Sequence, residues 1–181
     1  MLYYINLSLK SHKNIPRDNS YIFQTLHGMF SVLEYQYGIA YETSTLQVFS
    51  SDEYAIYQLT KLIGANPSIY DIMYVSSINN VDLTNYTSKW RSYSRYKIPT
   101  RKADRHIGDP LRRARMQYAD SVNMLYFNIK SQSNKTSFRY YVNITEYDTN
   151  PNMPFDLVSN GYGVSTATKF YMLPICPVMS K

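Results

Sequence analysis

The sequence predicts an α+β fold whose first part, about residues 1–80, is a ferredoxin-like domain. An alternating apolar pattern opens the chain, two segments carry apolar residues at helical spacing, and strand-forming segments lie between and after them. In order these elements are β-α-β-β-α-β, the arrangement of ferredoxin-like domains and of RNA-recognition modules. The aromatic strand signature of the RNA-recognition motif is missing, so the order supports the fold and not a mode of binding.

The first strand and the first helix follow from apolar spacing. Residues 2–10 alternate between apolar and polar side chains, which is typical of a strand with one buried face. The next segment predicts a helix over about 21–37, capped within 18–20 and ended by Gly38. Its apolar stripe consists of Ile22, Leu26, Met29 and Leu33.

Four more elements complete the first domain. Residues 39–49 predict two short strands joined by a turn at 43–45. A second helix is expected over about 52–63, with a polar cap before it and Gly64 closing it. Residues 71–78 are rich in strand formers and predict the last strand of the domain.

The second part, about 81–181, is expected to be a smaller α+β half with a basic linker and a helix. Asp109 at a cap position and Pro110 in the first turn predict a helix from Pro110 to about Ser121. On that helix Arg112 and Arg115 are three residues apart and share a face, with Arg113 beside it.

A hairpin follows this helix. The residues expected on one face of its two strands are Leu125, Phe127 and Ile129, then Phe138, Tyr140, Val142 and Ile144. Residues 131–137 form the connecting loop. Residues 145–161, with Asn, Pro, Asp and Gly, predict a longer loop, and a last short strand is expected near 170–173.

Residues 89–115 hold most of the positive charge of the protein. They contain ten Lys or Arg and two Asp, a net +8, whereas the whole chain is +6, so the remainder sums to −2. A patch this dense repels itself and usually faces a polyanion. Arginine, its main component, suits forked recognition of phosphates and guanine edges. The plain alternative is a solvated loop and helix face, although such faces usually intersperse acids with bases.

Composition excludes several classes of protein. The single cysteine, Cys176, cannot form a disulfide within the chain or a cysteine-based zinc site. We find no signal-peptide pattern and no apolar run of membrane-spanning length, so a cytoplasmic protein is expected. Tyrosine is in excess, with 20 residues, which fits base stacking as well as ordinary core packing.

Most catalytic motifs are missing too. The 13 acids form no close cluster typical of a metal-dependent nuclease, and no glycine signature of nucleotide binding or G-x-S-x-G motif occurs. We therefore expect no cofactor and no metal. RNA cleavage remains possible without a metal, because a neighbouring 2′-hydroxyl can attack the phosphate if the protein supplies a base.

Histidine is the usual base for this reaction, and the chain has three. His12 lies in a polar turn, and His106 lies inside the basic segment. His27 lies on the first predicted helix, on the flank that also carries Phe23 and Phe30, at the rim of the core. By spacing alone, such a histidine is more often packed or solvated than catalytic.

Four segments of the chain together resemble a known family. They are the opening YYINLSLK, the segment Thr25-Leu26-His27-Gly28, the loop Ser131-Gln132-Ser133 with Phe138-Arg139 after it, and Tyr162-Gly163-Val164-Ser165. An arginine-rich helix, LRRAR, stands between the second and the third. In order and spacing they resemble the Cas six family of endoribonucleases, the subunit that cleaves the repeat hairpin of precursor CRISPR RNA in type I-F systems.

The resemblance implies a catalytic set. His27 corresponds to the base that deprotonates the 2′-hydroxyl, Ser131 to the residue that holds the attacking ribose, and Tyr162 to a residue that orients the histidine or the nucleotide. It also implies RNA contacts from the basic segment, the loop and the strand after it: Arg101, Lys102, Arg105, Arg112, Arg113, Arg115, Gln132, Ser133 and Phe138. Lys102 and Arg105 enter because Ala103 stands where the family carries a glutamine.

The partners implied are the CRISPR repeat hairpin and the other subunits of the type I-F surveillance complex, with no membrane. Two alternatives remain open at this point. A non-catalytic RNA-hairpin-binding subunit could share the fold without needing His27, Ser131 and Tyr162 near a ribose. A DNA-binding regulator could use helix 110–121, but it would need a dimer or a helix-turn-helix partner.

Overall fold

The chain folds into two antiparallel sheets with helices packed against them. The computed structural model describes residues 1–42, 44–83, 86, 89–99, 110–131, 136–148, 157, 160–166, 168 and 170–176. The elements of the first half are β1 (Leu2–Leu9), α1 (Ile15–Leu33), β2 (Gly38–Glu42), β3 (Thr45–Ser50), α2 (Glu53–Gly64), α3 (Pro67–Tyr70), β4 (Met73–Val75) and β5 (Asn79–Val81). Those of the second half are β6 (Trp90–Tyr96), α4 (Pro110–Ser121), β7 (Tyr126–Lys130), β8 (Ser137–Tyr147) and β9 (Leu173–Pro174).

The first sheet has the strand order of a ferredoxin-like fold. Its strands run β2-β3-β1-β4, with every neighbouring pair antiparallel, and β5 also pairs with β1. The α+β class and the ferredoxin-like arrangement predicted from the sequence are confirmed. The division of the chain near residue 80 stays a prediction, and one cluster of buried residues extends from Leu2 to Cys176.

Strand β1 is buried on both faces, whereas its alternation predicted one buried face. Tyr4 and Asn6, expected on the open side, are only 6% and 3% exposed. Gln47 explains this burial, because its amide nitrogen donates to Asn6 Oδ1 at 2.8 Å and to the carbonyl of Cys176 at 3.3 Å. The C-terminal segment therefore lies over the second face of the sheet and accepts a hydrogen bond from Gln47, whereas Asn6 Nδ2 is buried without a hydrogen-bond partner among the described residues.

Helix α1 is displaced toward the N-terminus relative to its prediction. It begins at Ile15, with a proline in its first turn, and ends at Leu33 with Glu34 in the left-handed conformation at φ 58°. The predicted start near residue 21 and end at Gly38 are both wrong. Proline fits the first turn of a helix, since that amide has no partner within the helix. Gly38 instead opens β2.

Helix α2 matches its prediction closely. Asp52 caps it by accepting from the amide of Tyr54 at 2.8 Å, and Gly64 is its last residue. The two strands predicted within 39–49 are confirmed as β2 and β3. The strand predicted over 71–78 is shorter, Met73–Val75.

The second sheet runs β7-β8-β6-β9. Strand β6, Trp90–Tyr96, was not predicted, because it lies in the basic segment and Trp90, Tyr93 and Tyr96 are three residues apart and so do not alternate. Strand β8 extends to Tyr147, so the loop predicted from residue 145 begins too early. Helix α4 has its predicted bounds, and Asp109, its expected cap, lies outside the described residues. The final strand is Leu173–Pro174, slightly later than predicted.

Helix α1 also packs against the second sheet and joins the two halves. Phe23 on α1 stacks on Phe127 of β7, with ring centroids 4.0 Å apart. Ser20 Oγ accepts from the amide of Asn128 at 2.9 Å. The stacked rings and this hydrogen bond place one flank of α1 along β7. Among the described residues no helix is long and apolar enough to cross a membrane.

Candidate active site

His27 lies on the flank of α1 that faces the C-terminal part of the chain. His27 is half-buried, and Phe23 and Phe30, about one turn before and after it on the same helix, are buried. Nδ1 is 2.5 Å from the carbonyl oxygen of Gly161. A carbonyl oxygen can only accept, so Nδ1 carries a hydrogen in this contact. In the neutral ring Nε2 is then unprotonated and able to accept a proton.

Tyr162 holds the imidazole from one face. Its ring stacks on that of His27 with 3.7 Å between centroids and 15° between planes. Tyr162 in turn contacts Tyr140 at 4.7 Å and Phe23 at 5.7 Å. The imidazole is therefore fixed by a hydrogen bond at one edge and by an aromatic row on one face.

The turn that carries Gly161 and Tyr162 is tightly built. Asn160 Oδ1 accepts from the amides of Tyr162 at 2.8 Å and Val164 at 3.3 Å. Gly163 has φ +71°, and a Cβ there would lie 2.9 Å from Cγ1 of Ile39. Its carbonyl accepts from the amide of Ile39 at 2.6 Å, which fastens the turn to β2. Asn-Gly-Tyr-Gly is the sequence signal for such a turn, because Asn bonds its own backbone and Gly tolerates positive φ.

Ser131 follows β7 at the start of the predicted loop. Its amide donates to the carbonyl of Thr136 at 2.9 Å, which closes the loop at its base. Gln24, one turn before His27, donates to the carbonyl of Lys130 at 2.9 Å and accepts from its amide at 3.1 Å. The strand end that leads into Ser131 is thus fastened to the helix that carries His27. Gln132 and Ser133 lie outside the described residues.

Arg95 and Tyr140 belong to this neighbourhood and were not predicted as site residues. The guanidinium of Arg95 lies over the Tyr140 ring, with Cζ 4.8 Å from the centroid. Burial raises the pKa of Tyr140 to about 12, while a hydrogen bond from Asn160 and the charge of Arg95 act in the opposite direction. Burial also raises the pKa of Tyr162, again opposed by the charge of Arg95. Both phenols therefore stay neutral near pH 7, and Arg95 lies close enough to influence both.

The arginines of α4 have partners within the chain. Arg112 Nη1 donates to the carbonyl of Pro99 at 3.0 Å, and Arg115 Nη1 donates to that of Lys97 at 2.6 Å. The face that these two share, as the spacing predicted, therefore lies against the segment after β6. Arg113 is exposed. Arg101, Lys102 and Arg105 lie outside the described residues.

The remaining candidates from the sequence are Phe138 and the other two histidines, His12 and His106. Phe138 is 38% exposed and lies opposite Ile129 in the register of β7 and β8. His12 is exposed, and His106 lies outside the described residues. Among the side chains that the structure describes, no group of three His, Cys, Asp or Glu residues is arranged to hold a metal ion.

Comparison with known proteins does not identify a family. No protein-family model and no curated protein sequence matches the chain. Among solved structures, Cas6b is similar over 90% of this chain and 97% of its own, with a TM-score of 0.31 and 9% sequence identity. A putative chlorite dismutase is similar over 82% of this chain and 80% of its own, with a TM-score of 0.28 and 14% identity. Both TM-scores lie below 0.5, so neither similarity assigns a family or a function.

Proposed function

We propose that this protein is an endoribonuclease that cleaves RNA without a metal ion, with His27 as the base. The observation that carries the proposal is the hydrogen bond from His27 Nδ1 to the carbonyl of Gly161. It selects the tautomer in which Nε2 of the neutral ring accepts a proton. Among the described residues no group bonds to Nε2, and the His27 side chain is partly exposed, which fits a proton transfer from a ribose hydroxyl to that atom.

In the proposed reaction Nε2 of His27 takes the proton of a 2′-hydroxyl. The 2′-oxygen then bonds to the adjacent phosphorus as the bond from phosphorus to the 5′-oxygen breaks, and the 5′-oxygen takes a proton from solvent. The products are a 2′,3′-cyclic phosphate and a 5′-hydroxyl. Tyr162 keeps the imidazole in line through its stacked ring, and Ser131 holds the attacking ribose.

The proposed substrate is a hairpin in RNA. Support comes from the +8 charge of residues 89–115, which suits a polyanion, and from exposed Phe138, which could stack on the last base pair of a stem. In this proposal Arg101, Lys102, Arg105 and Arg113 contact the RNA, together with Gln132 and Ser133. Arg112 and Arg115 also belong to the proposed RNA-binding set, since a guanidinium offers five donors and suits a phosphate.

The finer assignment rests on the motifs that resemble the type I-F family. On that basis the hairpin is the repeat of a precursor CRISPR RNA, cut at its 3′ base. The protein would stay bound to the mature guide RNA and join the other subunits of the surveillance complex. This part of the proposal rests on the analogy between sequence motifs.

A cleavage assay on a repeat hairpin from the same genome tests the proposal. With protein in excess and EDTA present, the wild type should cut once and leave a cyclic phosphate. His27→Ala should abolish cutting while the affinity for the hairpin changes by less than about 1 kcal/mol, since a neutral imidazole contributes little to holding a polyanion. A 2′-deoxy substitution before the cut should block cleavage in the wild type.

His12→Ala is the matched control, because that histidine is exposed in a turn and should be dispensable. Cleavage by His27→Ala at the wild-type rate would place the base elsewhere. Loss of cleavage in EDTA would indicate a metal-based mechanism. Tight hairpin binding without any cleavage by the wild type would instead favour a non-catalytic RNA-binding subunit.

A further inference from the structure

Arg95 is held rigidly beside the turn that carries Tyr162. It lies in β6, and its amide donates to the carbonyl of Ser165 at 3.3 Å. Ser165 in turn donates its amide to the carbonyl of Tyr93 at 2.7 Å. The backbone at Arg95 is thus bonded to the same segment that positions Gly161 and Tyr162 against His27.

The side chain of Arg95 ends a row of stacked groups that leads to His27. Its guanidinium lies 4.8 Å from the centroid of Tyr140, Tyr140 lies 4.7 Å from Tyr162, and Tyr162 lies 3.7 Å from His27. The ring of Tyr140 is buried, whereas Arg95 is exposed. The cation is therefore supported on one side by a fixed ring and open to solvent on the other.

The charge of Arg95 is not neutralised by the part of the chain that the structure describes. No carboxylate there forms an ion pair with it. Two other arginines of the same sheet differ: Arg91 pairs with Glu42 and Glu146, and Arg139 lies 3.7 Å from Asp120. An uncompensated guanidinium at the end of the aromatic row that leads to a candidate base is suited to an anion that arrives with the substrate.

We propose that Arg95 is a catalytic residue that binds the non-bridging oxygens of the scissile phosphate. This inference rests on the proposed function. When the 2′-oxygen bonds to phosphorus, the phosphoryl group gains negative charge before the 5′-oxygen leaves. A guanidinium fixed by Tyr140 stabilises that charge in place, while the proton of the 2′-hydroxyl goes to His27 and the 5′-oxygen takes a proton from solvent.

The alternative role for Arg95 is structural, as a lid on the Tyr140 ring. Arg139 provides a matched control, because its Cζ lies 4.6 Å from the centroid of Tyr126, the same kind of contact. Tyr126 does not belong to the row that reaches His27. Arg95→Ala and Arg139→Ala therefore remove similar ring contacts, and only the first removes charge from the row that leads to His27.

The test measures single-turnover cleavage of a repeat hairpin at saturating protein. Dissociation constants are measured separately with a 2′-deoxy hairpin as the ligand. Arg95→Ala should slow cleavage by about 10²–10³-fold, the usual effect of removing one donor to a transition-state anion. Its dissociation constant for the hairpin should rise by less than about tenfold, because only one of several phosphate contacts is lost. Arg95→Lys should recover part of the rate, and added guanidinium should accelerate Arg95→Ala but not Arg139→Ala.

Three results would overturn this assignment. The first is a cleavage rate for Arg95→Ala within threefold of that of the wild type. The second is an equal loss of cleavage rate in Arg139→Ala. The third is a slow Arg95→Ala variant whose rate is restored neither by the Arg95→Lys substitution nor by added guanidinium. The proposed function fails separately, if the wild type does not cut or if His27→Ala cuts normally. Wild-type cleavage that is lost in His27→Ala and kept in Arg95→Ala would refute only the role of Arg95.

Discussion

The imidazole of His27 and the ring of Tyr162 stack face to face, with 3.7 Å between their centroids. The carbonyl of the residue before Tyr162 accepts from Nδ1 of the same imidazole at 2.5 Å. One turn of the chain thus supplies both the hydrogen bond and the stacking surface. A change in this turn should therefore alter the orientation of His27 without touching it directly.

The first prediction separates the ring of Tyr162 from its hydroxyl. Tyr162→Phe keeps the stacked ring and should leave the cleavage rate within a few-fold of wild type. Tyr162→Ala frees one face of the imidazole and should slow cleavage by about 10²-fold, the cost of a small misplacement of a catalytic group. Single-turnover rates measure both. An equal loss in the two variants would show that the hydroxyl acts on the substrate.

The second prediction concerns the turn itself. Gly163→Ala should lower the free energy of unfolding by at least about 1–2 kcal/mol, the cost of left-handed backbone for a residue with a Cβ. The new atom would also meet Ile39 at 2.9 Å. Urea denaturation measures the change.

Gly28→Ala is the control for that substitution. Gly28 lies in α1 at an exposed position, and a Cβ there would have no atom within 4 Å. This variant should gain about 0.5–1 kcal/mol, because alanine loses less backbone entropy in a helix. Equal destabilisation of both variants would contradict the strained conformation assigned to Gly163.

Local patterns predicted the architecture well where spacing and capping agree. Asp52 and Gly64 bound α2 as expected, and the apolar alternation of β7 placed Phe127 and Ile129 inward. The alternation of β8 was wrong at its ends, because Phe138 and Ile144, expected on the same face as Tyr140 and Val142, are exposed. Strand β6 was not predicted because Ser92 is buried together with Trp90 and Tyr93, so the sequence shows no alternation of apolar and polar residues there. The start of α1 was not predicted because Asn14, two residues before Pro16, is as typical of a turn as of a helix start.

The candidate site was predictable only in part. The resemblance pointed to His27 and Tyr162, and the structure brings these two into contact. The contribution of Gly161 through its carbonyl has no sequence signal, since any residue has that oxygen. Arg95 was one of ten basic residues in a single segment, and the sequence does not show that Tyr140 lies beneath its guanidinium. Such relationships depend on tertiary packing rather than on local pattern.

The third prediction concerns the basic segment. If residues 89–115 hold RNA through about six phosphates, the logarithm of the binding constant should fall with the logarithm of salt concentration with a slope near −5. His27→Ala should give the same slope, since this substitution lies outside the basic segment. Filter binding over a range of salt measures both. A slope shallower than about −2 would show that the segment does not hold the RNA.

The last prediction distinguishes stacking on RNA from packing in the core. Phe138 is 38% exposed, so its ring has an open face, whereas Phe127 is 2% exposed and stacks on Phe23 at 4.0 Å. Phe138→Ala should weaken hairpin binding by about 1–3 kcal/mol while the melting temperature stays nearly unchanged. Phe127→Ala, the matched control, should lower the free energy of unfolding by about 3–5 kcal/mol. A large loss of thermal stability in Phe138→Ala with unchanged hairpin affinity would assign Phe138 to the core instead.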